Sequence, residues 1–72
     1  MSSSSKRAVH RLTAREREVL GYLGEGLSVA DIAARLKISI ATTRKHKENL
    51  MRKLDLHNAA EVVLFAVRYG SR

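Results

Sequence analysis

The 72-residue sequence contains no cysteine, no proline and no tryptophan, and its aromatic residues are one Phe and two Tyr. Without cysteine there is neither a disulfide nor a thiolate zinc site, supports on which natural domains this small often lean, and the lack suits a reducing cytosol. Long apolar runs are missing as well. The longest is Val62–Val67, far short of the roughly 20 residues that span a bilayer, and Met1-Ser-Ser-Ser-Ser5 lacks the apolar stretch of a secretion signal. A cytoplasmic chain with no membrane partner is therefore expected. A chain of this length makes one domain at most and buries only about 60% of its unfolded surface. Its fold must stand on helix packing, capping or association.

Acidic residues are also scarce: 7 against 14 basic ones, a net charge of +7 with neutral histidines. The excess is concentrated. Between residues 35 and 53 stand Arg35, Lys37, Arg44, Lys45, Lys47, Arg52 and Lys53, with Glu48 as the single acid, so seven minus one leaves +6 in that stretch. Such an excess calls for a polyanion, either nucleic acid or an acidic membrane surface.

Apolar and polar residues never alternate for long, so strands are not expected. Helix starts are marked instead. Thr13-Ala-Arg-Glu16 has the form of a capping box, with Leu12 placed to staple against the first turn. Val19, Leu20, Leu23 and Leu27 follow at helical spacing, and Gly24 and Gly26 are expected to end the element. Ser28-Val-Ala-Asp31 repeats the device ahead of the stripe Val29, Ile32, Ala33 and Leu36. Lys37-Ile-Ser39 leaves room only for a tight turn, with Ser39 capping a third helix, and Asn58-Ala-Ala-Glu61 opens a fourth. The expectation is an all-α domain with helices at about 14–24, 29–36, 40–54 and 59–69. It occupies residues 11–72, behind a flexible arm or linker over 1–10. The second and third helices and the turn between them make a helix-turn-helix, in which Ala33 is small enough for a close crossing. Lys37, where glycine or asparagine often stands, would be strained by roughly 1–2 kcal/mol if left-handed.

The remaining chemistry is sparse. His10, His46 and His57 have no metal-ligand spacing, and His46 is better read as a half-buried wedge under the third helix. Glu16 and Glu18 sit where a helix dipole favours carboxylates, with no nucleophile or glycine-rich loop nearby. No enzyme activity, metal or cofactor is expected. A basic helix lying on a membrane would leave the serial caps unexplained. The deep, narrow groove of A-form RNA does not admit a helix.

Ordered blocks of the chain resemble LuxR-type domains, also called NarL/FixJ-type or GerE-type. They are Leu12-Thr-Ala-Arg-Glu-Arg-Glu-Val-Leu20, Gly26-Leu-Ser-Val-Ala-Asp-Ile-Ala33, Thr42 to Leu54 with His46, Asn49, Arg52 and Lys53, and Asn58-Ala-Ala-Glu61. The resemblance implies a four-helix domain of bacterial transcriptional regulators, often response regulators, that binds double-stranded DNA through its third helix in the major groove. It also implies homodimers on DNA meeting through the fourth helix, with RNA polymerase as a further partner. By position, Arg44, Lys45 and Glu48 fall where relatives present side chains to base edges. Ser39, Thr42 and Lys53 fall where they meet phosphate, and Lys47 is a further candidate there. Arg44, Lys45 and Glu48 also share the helix face opposite Thr43, Leu50 and Leu54.

Two positions depart from the family pattern: Thr43, where an aliphatic residue is usual, and Lys47, where Val or Leu is usual. Both belong to the inner stripe, so Lys47 is expected to lay its methylenes along the core edge with its nitrogen in water. On the fourth helix, Ala60, Val63 and Val67 are expected to face the core. Val62, Phe65 and Tyr69 are left as an outward ridge for the dimer contact. The rival resemblance is to sigma-factor region four, a polymerase-associated helix-turn-helix, which shares a Leu-, Arg- and Glu-rich first helix.

Overall fold

Short polar side chains begin each helix by taking a backbone amide three residues on, which satisfies a donor that the helix itself leaves unpaired. In the computed structural model, which describes residues 9–69 and the side chains of 9–68, α1 (Ala14–Gly24) starts at a full capping box. The Thr13 hydroxyl accepts from the Glu16 amide at 3.0 Å and the Glu16 carboxylate accepts from the Thr13 amide at 3.0 Å. Ser28 caps α2 (Val29–Leu36) through the Asp31 amide, and Ser39 caps α3 (Ile40–Leu54) through the Thr42 amide. Ahead of α4 (Ala59–Tyr69), Asn58 Oδ1 accepts from the Glu61 amide, while Glu61 reaches back to the His57 amide at 2.7 Å. The four helices lie where the caps place them, and there is no strand among the described residues. Among the described residues no helix is long and apolar enough to cross a membrane.

The first three helices end alike, with one left-handed residue and a return hydrogen bond from the residue after it. Leu27 donates to the Tyr22 carbonyl, Ile38 to Ala33 and Leu56 to Met51, the pattern of a Schellman motif. The left-handed residue is Gly26 (φ 92°) after α1, Lys37 (φ 58°) after α2 and Asp55 (φ 58°) after α3. Only the first is a glycine. Lys37 therefore takes the strained conformation that its sequence position raised, and Asp55 joins it without an equally plain warning.

Helix α1 lies at the centre and touches the other three, chiefly α4 and α3, while α2 packs on α3. Val19, Leu20 and Leu23 of α1, Ile32 of α2, Leu50 and Leu54 of α3, and Val62, Phe65 and Ala66 of α4 form one buried cluster closed at the chain's entry by Leu12. Val9 and His10 belong to a 3-10 turn, Val9–Arg11, and Val9 packs half-buried on the core; the rest of the expected arm lies outside the described residues.

The face that α4 buries is the opposite of the one expected. Val62 is 2% and Phe65 7% exposed, whereas Val63 is 40%, Leu64 57% and Val67 71% exposed, and Ala60 lies on the surface. The stretch Val62–Val67 is apolar all round, so its own periodicity does not select a face. The selection comes from α1. A Cβ placed on Gly24 would stand 2.5 Å from the Ala66 Cβ, so the two helices cross where a missing side chain meets a methyl. Seating Ala66 there carries Val62 and Phe65 inward. They therefore do not form an outward ridge, and the Tyr69 side chain lies outside the described residues.

Candidate nucleic-acid interface

The turn between α2 and α3 is three residues long, and it closes because Ala33, 3% exposed, lets the helices approach. Its last residue organises the start of α3. Ser39 is extended, its hydroxyl accepts from the Thr42 amide at 3.0 Å, and it donates to Thr42 Oγ1 at 2.9 Å. Its carbonyl accepts from Thr43 Oγ1 at 3.0 Å. That bond explains how Thr43 is wholly buried in a position suited to an aliphatic residue: the hydroxyl is spent locally. Both Ser39 and Thr42 are exposed, beside the first-turn amides of α3. That end of a helix carries partial positive charge and attracts anions.

Thr43, Leu50 and Leu54 anchor one side of α3 in the core. On the other side Arg44, Lys45 and Glu48 are all exposed, with Ala41 before them and Arg52 after. The sequence places Arg52 in the basic stretch and in the family resemblance but assigns it no DNA contact, although it continues the stripe of Arg44 and Glu48 at steps of four. Arg52 donates to Asn49 Oδ1. Glu48 has no hydrogen bond or ion pair among the described residues, although Arg44, Lys45 and Arg52 occupy neighbouring helical positions. Elsewhere in the basic stretch, the Arg35 guanidinium lies 5.7 Å from the Tyr22 ring centre, a cation–π contact, and Lys37 is exposed.

The two lysines expected near phosphate each have surroundings within the domain. Lys47 is half-buried and lines an open groove between α1, α3 and α4 with Leu23, Leu27, Val62 and Val63. This is the core-edge position expected of its stem. Lys53 is tied to the start of the domain. Its ammonium lies 2.8 Å from Glu16 Oε1 and 3.4 Å from the Arg11 carbonyl oxygen. Glu16 is 3% exposed. Burial alone would raise its carboxyl pKa. The hydrogen bonds from Lys53 and the Thr13 amide, with the charges of Lys53 and half-buried His46, outweigh that and hold it below the ordinary value. This long-range tie has no local signature, because its partners are 37 residues apart in the chain.

The family profile described as bacterial regulatory proteins, luxR family, matches residues 10–66. The chain belongs to the luxR family. This LuxR-type domain is similar to the uncharacterized transcriptional regulatory protein YhcZ of Bacillus subtilis, with 41% identity over 90% of the chain and 30% of the relative. It is also similar to the uncharacterized response regulatory protein YgeK of Escherichia coli, with 37% identity over 94% of the chain and 46% of that protein. The transcriptional regulatory protein UhpA of Escherichia coli is 45% identical over 71% of the chain and 26% of its own length. The LuxR-type chain thus spans less than half the length of these relatives. No solved structure matches it. The family match decides between the two helix-turn-helix readings in favour of the LuxR type, whose function is DNA binding in transcription regulation.

Proposed function

We propose that the chain binds double-stranded DNA sequence-specifically, as the DNA-binding part of a transcriptional regulator, with α3 in the major groove. The observation that carries this reading is the division of α3 into two faces. One is locked into the core by Thr43, Leu50 and Leu54, and the other presents Arg44, Lys45, Glu48 and Arg52 to solvent. A B-form major groove admits one α-helix, and an Arg there can bond guanine O6 and N7 together. Ser39 and Thr42, at the helix N-terminus, are suited to phosphate oxygens, which fix register without reading sequence. Lys47 follows the core edge and Lys53 neutralises Glu16, so the leading phosphate contacts are assigned to Ser39 and Thr42. Bound copies pair through α4, and the surface for that is Val63, Leu64 and Val67 instead of Val62 and Phe65.

Replacing Arg44 by Ala tests the base-reading role. Affinity for the preferred site should fall by about 1–3 kcal/mol, with preference lost at one base pair. An equal loss on every sequence would make Arg44 a phosphate contact and refute the assignment.

A further inference from the structure

Glu48 is the single acid among the cations of residues 35–53, and it stands in the middle of the exposed face of α3. Its neighbours do not absorb its charge. Arg44, Lys45 and Arg52 are four residues before, three before and four after it, the spacings at which helical ion pairs form, yet none pairs with it, and Arg52 turns to Asn49. A carboxylate carried toward DNA is repelled by every phosphate, so its presence there must be offset by a donor on a base.

The major groove offers two such donors, cytosine N4 and adenine N6; guanine N7 and O6 and thymine O4 only accept. They differ in what lies beside them. Adenine N6 adjoins N7, an acceptor that faces the second carboxylate oxygen with a lone pair. Cytosine N4 adjoins a C–H. Glu48 is four residues past Arg44 and three past Lys45, about 6 and 4.5 Å along the helix, which is one to two base-pair steps of roughly 3.4 Å.

We infer that Glu48 is a specificity-determining residue: it selects a cytosine lying one to two base pairs from the guanine that Arg44 or Lys45 contacts, and excludes guanine and thymine there. The inference rests on the DNA-binding reading above and adds the base that this acid demands. Its energetic signature has two opposite signs. Glu48 weakens attachment to DNA in general and sharpens the choice of one base.

The test is selection of bound sites from a random duplex pool by the wild-type chain, Glu48→Ala and Glu48→Gln, with folding checked by circular dichroism. Wild-type sites should contain that cytosine, preferred by roughly 5- to 150-fold over the other bases. In Glu48→Ala the preference at that position should vanish while affinity for unselected duplex rises. In Glu48→Gln it should move to adenine, whose N6 and N7 an amide bonds together. Unchanged base preferences in both variants, with tighter binding to all duplexes, would make Glu48 a mere repelling charge and overturn the inference. Wild-type enrichment of adenine at that position would overturn it too. If the wild-type chain binds duplex but enriches no sequence, or does not bind duplex at all, the sequence-specific reading falls with it.

Discussion

Glu16 shows how much one side chain can be asked to do. It completes the cap of α1, receives Lys53 from the last turn of α3, and is almost wholly buried while doing so. Its lowered pKa means that the folded state holds the carboxylate more firmly ionised than the unfolded chain does. The resulting stabilisation is fully present above the ordinary value of 4.5 and is lost as pH falls through the lower folded value. Thermal melts between pH 3 and pH 7, run on the parent and on Glu16→Gln, check this. The variant should be less stable at neutral pH, and the gap should close toward the acid end. A parallel pair of curves would contradict it. The neutral-pH loss should stay below the roughly 3–5 kcal/mol of a fully buried pair, because Lys53 reaches water. Lys47 presents the converse case, a charge with no ion-pair partner among the described residues, on an apolar edge. Lys47→Leu should add about 1–2 kcal/mol of apolar burial and raise the thermal midpoint by roughly 4–8 °C per kcal/mol. Titrations against duplex DNA should show an unchanged base preference.

At the level of the helices, local chemistry was legible in the sequence and distant chemistry was not. Caps act over three residues, so Thr13, Ser28, Ser39 and Asn58 announce all four starts. Helical spacing likewise sets Arg44, Lys45 and Glu48 opposite Thr43, Leu50 and Leu54, and all three are exposed. Legibility failed where a choice depends on another element. The apolar run of α4 fits either face, and the choice depends on α1, where Ala66 meets Gly24. Gly24 ends α1 as its place in the sequence suggests, and its missing side chain has a second use that the sequence does not show, the close approach of Ala66. Gly24→Ala should therefore destabilise the domain by about 1–3 kcal/mol through overpacking, despite alanine's better helix propensity, worth up to about 1 kcal/mol. Denaturant melts of Gly24→Ala, Ala66→Gly and the double variant test this. The double variant should recover part of the loss, and strict additivity of the two changes would show that the residues do not meet.

For the molecule as a whole, the misjudged face of α4 relocates the surface through which two copies would meet. Val63, Leu64 and Val67 form an apolar ridge one helical stripe wide, too narrow to hold free copies together tightly. Pairing is then expected on DNA, where two half-sites supply a high local concentration. Val67→Glu should leave the melting temperature nearly unchanged, since Val67 is largely exposed, and should abolish cooperative occupancy of paired half-sites in a band-shift titration. Undiminished cooperativity would remove α4 from the contact. The Lys53–Glu16 tie has its own consequence at this scale, a mechanical one. It fastens α3 to α1 at the far end of a 15-residue rod, while Arg44 lies nine residues nearer the other end, a lever arm of about 14 Å at 1.5 Å per residue. A tilt of about 10° at the fastened end would swing Arg44 sideways by roughly 2 Å, several times the latitude of about 0.5 Å within which a binding group must be held. The half-exposed pair thus adds an alignment stop at one end of the rod, while wholly buried Thr43 holds the end beside Arg44.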